Sequence, residues 1–173
     1  FFFPPHAAIP DPLWSRGLGD VYKRQDIKNS KKISEEIIKA RTINKINTTF
    51  DLNKILKPLY PERYLNKNLS RIYQAIRIEV NKELDVLKSF LEQTSELLLP
   101  GGRLCVISYH SLEDRMVKRY ITNGNFSTTA EKDLYGNFSV PFKKIGKMIQ
   151  PSAVELKENI RSRSAKLRIA EKI

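Results

Sequence analysis

The chain has no glycine between Asp20 and Pro100, although seven glycines occur among its 173 residues. Two glycines precede this gap, and Gly101 and Gly102 follow it. Loops that hold the phosphate or sugar of a nucleotide need glycine where the backbone approaches the ligand closely. We therefore expect no nucleotide-binding loop before residue 101.

Charge and composition narrow the class of partner. The formal net charge is +12, and Cys105 is the only cysteine. A single cysteine excludes a disulfide framework and a multi-thiolate metal site, and two histidines make a histidine-based metal cluster unexpected, so no metal is predicted. No run approaches 18 apolar residues, which argues against a membrane span. The basic excess favours a polyanionic partner, nucleic acid first and an acidic membrane surface second.

Residues 1–25 differ from the rest of the chain. They contain four of the nine prolines, the only tryptophan and three consecutive phenylalanines, without helical or strand periodicity. We interpret this segment as foreign, because its second half resembles translated adaptor sequence; a genuine flexible arm is the alternative.

Residues 26–99 carry helical patterns. Ser30 is predicted to cap a first helix that runs to Arg41, and Thr48 with Asp51 forms a capping box for a second. Apolar residues then recur every three or four positions over 69–99, which predicts one long helix or two nearly continuous ones.

The pattern changes at Pro100. A Pro-Gly-Gly turn precedes the apolar run 104–107, which is typical of a parallel strand buried on both faces, with Cys105 as a small core residue. Ser111 and Asp114 are predicted to cap a following helix, which ends at Asn123-Gly124.

The remaining segments complete an α/β pattern. Residues 125–150 are predicted to be an irregular loop with a strand near 147–149, and Ser152 to open a short helix. Residues 165–169 alternate apolar and basic, as in a half-exposed strand at the C-terminus. The order of helix, turn, buried strand and helix indicates an α/β sheet with crossover helices.

Three segments carry a resemblance to a known family. They are LLLPGGRLCVISYHSLEDRMVKRYI (97–121), RIYQAIRIEVNKEL (71–84) and RSRSAKLRIAEKI (161–173). Together they resemble the bacterial 16S rRNA cytosine-N4 methyltransferases, the RsmH or MraW family. The resemblance extends from about Asp26 to the last residue.

The resemblance implies a fold and an activity. The fold would be the C-terminal part of a Rossmann-like class I S-adenosylmethionine methyltransferase with an inserted helical domain. Residues 26–70 would be the inserted, RNA-recognising domain and residues 71–173 the C-terminal part of the methyltransferase domain. The activity would be N4-methylation of a cytidine in 16S rRNA, with S-adenosylmethionine as cofactor, the small ribosomal subunit as partner, no membrane and a cytoplasmic location.

Two family motifs have no counterpart here, the Asp-Gly-Thr-x-Gly-x-Gly-Gly-His-type cofactor loop and an Asp-Leu-Gly-x-Ser-Ser segment. We therefore expect no cofactor-binding residue in this chain, and no turnover by the chain alone.

The candidate pocket residues are Ser108, Tyr109 and His110, which follow the predicted strand at the end where α/β sheets place ligands. His110 either contacts the target base or phosphate, or ties the strand to the next helix by hydrogen bonds. Tyr109 either stacks on a base or belongs to the core. No single residue is predicted to be catalytic.

Charge adds candidates for RNA contact. Residues 142–173 contain nine Lys/Arg against three Glu. Arg161 and Arg163 would share a face if extended, and Lys166 and Arg168 another; solvated charge on an edge strand is the alternative. Arg115 either contacts phosphate or pairs with Glu113, and Arg71 or Arg77 is expected to serve packing or an ion pair. The RNA-binding candidates are Arg71, Arg77, Arg115, Lys118, Arg161, Arg163 and Lys166.

Two rival functions stay open. The first is a non-catalytic RNA-binding module, and the second is a helical protein-interaction domain whose α/β resemblance is incidental. The second rival predicts that the terminal strand does not pair beside strand 104–107.

Overall fold

The computed structural model describes residue 27, residues 29–127 and residues 140–173, and contacts divide the chain between Glu83 and Leu84. Each side of this division forms a compact unit. The segment 1–25 lies outside the described residues, so its foreign origin stays a prediction. Among the described residues, no helix combines the length and apolar character that crossing a membrane requires.

The first unit is helical, as the apolar periodicity of residues 26–99 predicts. It contains α1 (Ser30–Ile43), α2 (Thr49–Leu56), a 3-10 turn (Lys57–Leu59) and α3 (Glu62–Val80).

The two predicted caps of this unit have different outcomes. The Thr48 hydroxyl accepts the Asp51 amide hydrogen at 3.2 Å while the Asp51 carboxylate accepts the Thr48 amide hydrogen at 3.0 Å, which confirms the capping box. The prediction for Ser30 is wrong: Asn29, in the left-handed conformation, is the N-cap residue, and Ser30 is the first helical residue.

The core of the first unit joins all three helices. Its fully buried side chains include Ile33, Leu56 and Ile72. Because Ile72 and Ile76 of α3 pack in this cluster, the predicted division after residue 70 falls inside a helix that belongs to the first unit. The helical pattern over 69–99 resolves into two helices, since the backbone turns at Asn81 and Lys82, where Lys82 has φ +50°.

The second unit is a small α/β structure. After α4 (Glu83–Leu97) it contains β1 (Arg103–Ser108), α5 (Ser111–Asn123) and β2 (Phe142–Ile149). The short α6 (Ala153–Glu158), a 3-10 turn (Ile160–Ser164) and β3 (Lys166–Lys172) complete it. The predicted helix start at Ser152 is confirmed, because its hydroxyl accepts the Glu155 amide hydrogen.

The sheet has the order β1-β3-β2, and both strand pairs are antiparallel. The predicted parallel strand is therefore not found in the described part of the sheet, because the terminal strand runs back against both neighbours. β3 is also the middle strand, so the alternative that placed its charges on an edge strand is wrong. Its pairing with β1 argues against the helical-interaction rival.

Only one face of β1 is buried, contrary to the prediction. Leu104 and Ser108 are buried, whereas Cys105 and Ile107 are exposed. Helix α5 contacts all three strands of the sheet, and the buried side chains of β1 and β3 share one core cluster with those of α5. Cys105 is consequently not a core residue.

The core of this unit lies between α4, α5 and the sheet. Leu91, Val117 and Phe142 are almost completely buried, and the Phe142 ring lies 6.1 Å from that of Tyr120. Phe142 opens a strand several residues longer than the predicted one near 147–149. The predicted end of α5 is confirmed, since Gly124 is its left-handed C-cap.

Candidate nucleic-acid interface

The junction between β1 and α5 holds the three candidate pocket residues, which differ in accessibility. Ser108 is buried, with 4% of its surface exposed, whereas Tyr109 is 58% exposed. The Tyr109 amide donates to the Glu113 carboxylate at 3.3 Å, which fixes the backbone of the turn. The core alternative for Tyr109 is therefore wrong, and its stacking on a base stays a prediction.

His110 is the N-cap residue of α5. Its Nδ1 accepts the Leu112 amide hydrogen at 3.2 Å, and its carbonyl accepts the Asp114 amide hydrogen at 3.0 Å. The structure thus confirms that His110 ties the strand to the following helix. A neutral imidazole whose Nδ1 accepts a hydrogen bond carries its proton on Nε2, so Nδ1 is not available to accept a hydrogen from a substrate amine.

Asp114 does not cap the helix, contrary to the prediction. Its carboxylate accepts from Arg168 Nε at 2.6 Å and Nη2 at 3.2 Å, and from Lys166 Nζ at 3.3 Å. The prediction for Ser111 is wrong as well, because His110 is the N-cap of α5 and Ser111 is its first helical residue.

The ion pair of Asp114 is largely shielded from water. Only 12% of the Asp114 side chain and 14% of the Arg168 side chain are exposed. Burial by itself raises the pKa of Asp114, but the hydrogen bonds and charges of Arg168 and then Lys166 outweigh it and hold the pKa below its ordinary value. The pair therefore joins α5 to the central strand as a charged, hydrogen-bonded contact.

The prediction that Lys166 and Arg168 share a face is confirmed, because both reach the same carboxylate. Lys166 thus has a structural partner, and its RNA contact stays a prediction.

The other RNA-binding candidates are distributed over both units. Arg77 forms an ion pair with Glu83 at 2.8 Å, as expected for one of the two α3 arginines, and Arg71 is exposed. In the second unit Arg115 and Lys118 lie exposed on α5, and the described residues show no ion pair between Arg115 and Glu113.

Arg161 and Arg163 are exposed within the 3-10 turn Ile160–Ser164. The prediction that these two arginines share a face assumed an extended segment. Because the segment is a 3-10 turn, that prediction does not apply. The conformation follows from Asn159, whose side chain accepts the Arg161 amide hydrogen and caps the turn.

The second unit also contains a basic cleft that was not predicted from the sequence. A narrow cleft of about 30 Å³ lies between α5 and the β2–β3 pair, and we name it the lysine cleft. Among the residues that the structure describes, its lining includes Lys118, Lys144, Gly146, Lys147 and Arg168, and no acidic side chain. The signal in the sequence was the Lys-Lys-Ile-Gly-Lys run at 143–147, whose glycine has φ +64° in the structure.

The glycine pair before β1 does not form a nucleotide-binding loop. Gly102 makes a tight turn in which a Cβ atom would lie 2.9 Å from the Leu99 carbonyl, and the Gly101 amide donates to the Lys172 carbonyl. This glycine pair therefore serves the turn and the sheet. In the described ranges, no three His, Cys, Asp or Glu side chains cluster as metal ligands would.

Comparisons with known proteins agree with the resemblance. Residues 16–173 match the model of the MraW methylase family, so the match also covers residues 16–25. A protein of Flavobacterium johnsoniae named ribosomal RNA small subunit methyltransferase H is 60% identical over 148 residues, which are 86% of this chain and 49% of that protein.

Similarly named relatives give the same result. Those of Christiangramia forsetii and Bacteroides fragilis are 57% and 48% identical, over 86% and 90% of this chain and 49% and 52% of their own lengths. The chain spans about half the length of the curated relatives it matches. With its family model matched over residues 16–173, the chain belongs to the MraW methylase family.

Proposed function

We propose that the whole protein transfers a methyl group from S-adenosylmethionine to N4 of a cytidine in 16S rRNA, in the cytoplasm. Membership of the MraW methylase family is the observation that carries this proposal. The names of the relatives, which specify methylation of small-subunit rRNA, support it. In the same proposal, residues 26–70 belong to the inserted helical domain and the second unit belongs to the C-terminal part of a Rossmann-like domain.

The reaction makes particular demands on the protein. S-adenosylmethionine, when bound, supplies a methyl group on a sulfonium. The N4 lone pair of cytosine is delocalised into the ring, so the protein must orient the amine and accept hydrogen bonds from it. The base must also leave its stack or lie in single-stranded RNA.

Tyr109 is the residue of the β1–α5 junction best placed to meet such a base. Ser108 is buried, and Nδ1 of His110 is occupied by the Leu112 amide. The exposed Tyr109 ring, on a backbone fixed by Glu113, can stack on an unpaired base, an interaction worth about 1–3 kcal/mol. We assign Ser108 and His110 to the support of this turn.

We also propose that this chain alone neither binds the cofactor nor turns over. The Gly101-Gly102 pair is the glycine turn that precedes β1, and its backbone groups are already used in the turn and in sheet pairing. Steps that involve the cofactor would depend on the part of the relatives that this chain does not span.

Reconstitution tests the proposal. The part of the Flavobacterium johnsoniae relative that this chain does not match would be joined to residues 26–173, and methyl transfer from tritiated S-adenosylmethionine would be measured. We expect labelling of small-subunit RNA and none of large-subunit RNA. Steeply salt-dependent RNA binding without any transfer would instead support the non-catalytic RNA-binding module.

A further inference from the structure

The lysine cleft is shaped by an irregularity in β2. Ile145 pairs with Ile169 of β3 and Ile149 pairs with Leu167, so that residues 146–148 lie opposite the single residue Arg168. Extra residues in one strand bend it and redirect its side chains, and bulges of this kind are frequent beside functional sites. Gly146, with φ +64°, provides the conformation that the bend requires.

Cationic groups from two elements meet at this bend. Lys144 lies on the same face of β2 as the buried Phe142, which packs against α5, and Lys147 follows the bend. Lys118 approaches from α5. Arg168 is neutralised by Asp114, but the described residues show no ion pair for the three lysines, all of which are exposed.

The cleft also leaves room for a ligand to reach the backbone. A Cβ atom at Gly146 would have nothing within 4 Å, so the main chain is open to approach at this point. The cleft is small, with a volume of about 30 Å³, which favours a single phosphate group over a whole nucleoside as its occupant. Three ammonium groups that have no ion-pair partner among the described residues favour an anion at such a position.

We propose that the lysine cleft binds a backbone phosphate of the RNA substrate, at a subsite separate from the β1–α5 junction. The choice of RNA as the polyanion rests on the proposed function. Because α5 begins at Ser111 and carries Lys118 two turns later, the junction and the cleft are about 10 Å apart along the helix. One strand of RNA can therefore contact both, with the cleft setting its register on the protein.

Salt-dependent binding of a labelled 20-nucleotide single-stranded RNA to the full chain tests this proposal. The variant is Lys144→Ala/Lys147→Ala, and the matched control is Lys143→Ala/Lys157→Ala, which removes the same charge from exposed positions outside the cleft lining. Each phosphate contact on a single strand contributes about 0.7 to the slope of log affinity against log salt. We expect the slope to fall by about 0.7 in the cleft variant, which loses one phosphate contact, and by less than half of that in the control.

A second pair of variants keeps the lysines. Gly146→Asp introduces a carboxylate into the cleft, whereas Gly146→Asn has nearly the same shape and equal tolerance of positive φ without the charge. We expect Gly146→Asp to bind RNA at least about tenfold more weakly than Gly146→Asn at low salt, since a like charge there opposes phosphate.

Equal slopes in the cleft and control variants, or equal affinities of the two Gly146 variants, would overturn the proposal. The proposal would also be overturned if the cleft variant bound RNA as tightly as the unchanged chain but no longer sedimented with phosphatidylserine vesicles. That result would assign the cleft to an acidic membrane surface. If the reconstituted protein transfers no methyl group while the cleft variants still weaken RNA binding, the proposed function fails and the phosphate subsite stands.

Discussion

The ion pair between Asp114 and Arg168 provides the sharpest test of how the second unit is held together. The substitution Asp114→Asn keeps the size of the side chain and removes its charge. The Arg168 side chain, which is 14% exposed, then faces a neutral amide. In the unchanged protein it faces a carboxylate that accepts two of its hydrogen bonds. The second unit should lose stability, and the first unit should not.

The expected loss is intermediate between that of a buried and a surface pair. Removing one partner of a fully buried pair costs about 3–5 kcal/mol, and exposed pairs are worth about 1 kcal/mol or less. The Asp114 side chain is 12% exposed and Lys166, at 3.3 Å, is 32% exposed, so some solvent reaches the site. We therefore expect Asp114→Asn to cost about 2–3 kcal/mol, and Lys166→Met less than about 1 kcal/mol.

Hydrogen exchange followed by mass spectrometry measures this loss where it occurs, because peptides from α5 and β3 report the opening of the second unit alone. A double-mutant cycle with Arg168→Met isolates the pair, and its coupling energy should be about 2 kcal/mol. The reasoning would be refuted if Asp114→Asn cost less than about 0.5 kcal/mol. It would also be refuted if Asp114→Asn cost as much in the Arg168→Met variant as in the unchanged protein. Peptides from the first unit serve as the internal control.

Further predictions concern acid stability, the core, the junction and the cofactor. Because the pKa of Asp114 is lower in the folded protein, its stabilisation is present above about pH 4 and lost as the pH falls through the folded value, and Asp114→Asn should flatten this part of a stability–pH curve. Phe142→Ala should cost about 3–5 kcal/mol in chemical unfolding, whereas Phe50→Ala, at a 65% exposed position, should cost less than about 0.5 kcal/mol. Tyr109→Ala should leave protection from hydrogen exchange unchanged and lower methyl transfer by the reconstituted protein at least about fivefold, from the stacking it removes. Calorimetry should detect no micromolar binding of S-adenosylmethionine to residues 26–173, and such binding would contradict the inactivity proposed for the chain alone.

Features set by neighbouring residues were predictable from the sequence. The capping box of Thr48 and Asp51, the end of α5 at Gly124 and the start of α6 at Ser152 each depend on groups within a few positions. The alternation of residues 165–169 also gave the correct strand, because side-chain period follows from backbone geometry.

Features set by distant residues were not predictable in this way. Asp114 has the spacing of a capping residue, yet its partner Arg168 lies 54 positions away and offers two charge-assisted hydrogen bonds. Cys105 lies in an apolar run, but its burial depends on what covers that face of the sheet. The lysine cleft likewise needed the antiparallel pairing of β2 with β3, which brings residues 144–147 beside α5.

The position of the transferred methyl group tests the proposed function most directly. The reconstituted protein would be incubated with small-subunit RNA and S-adenosylmethionine carrying a ¹³C methyl group, and the RNA would be digested to nucleosides for mass spectrometry. We predict that the label appears in N4-methylcytidine. Label on cytosine C5, on a ribose 2′ oxygen or on another base would contradict the proposed reaction, as would the absence of label from RNA that the protein binds.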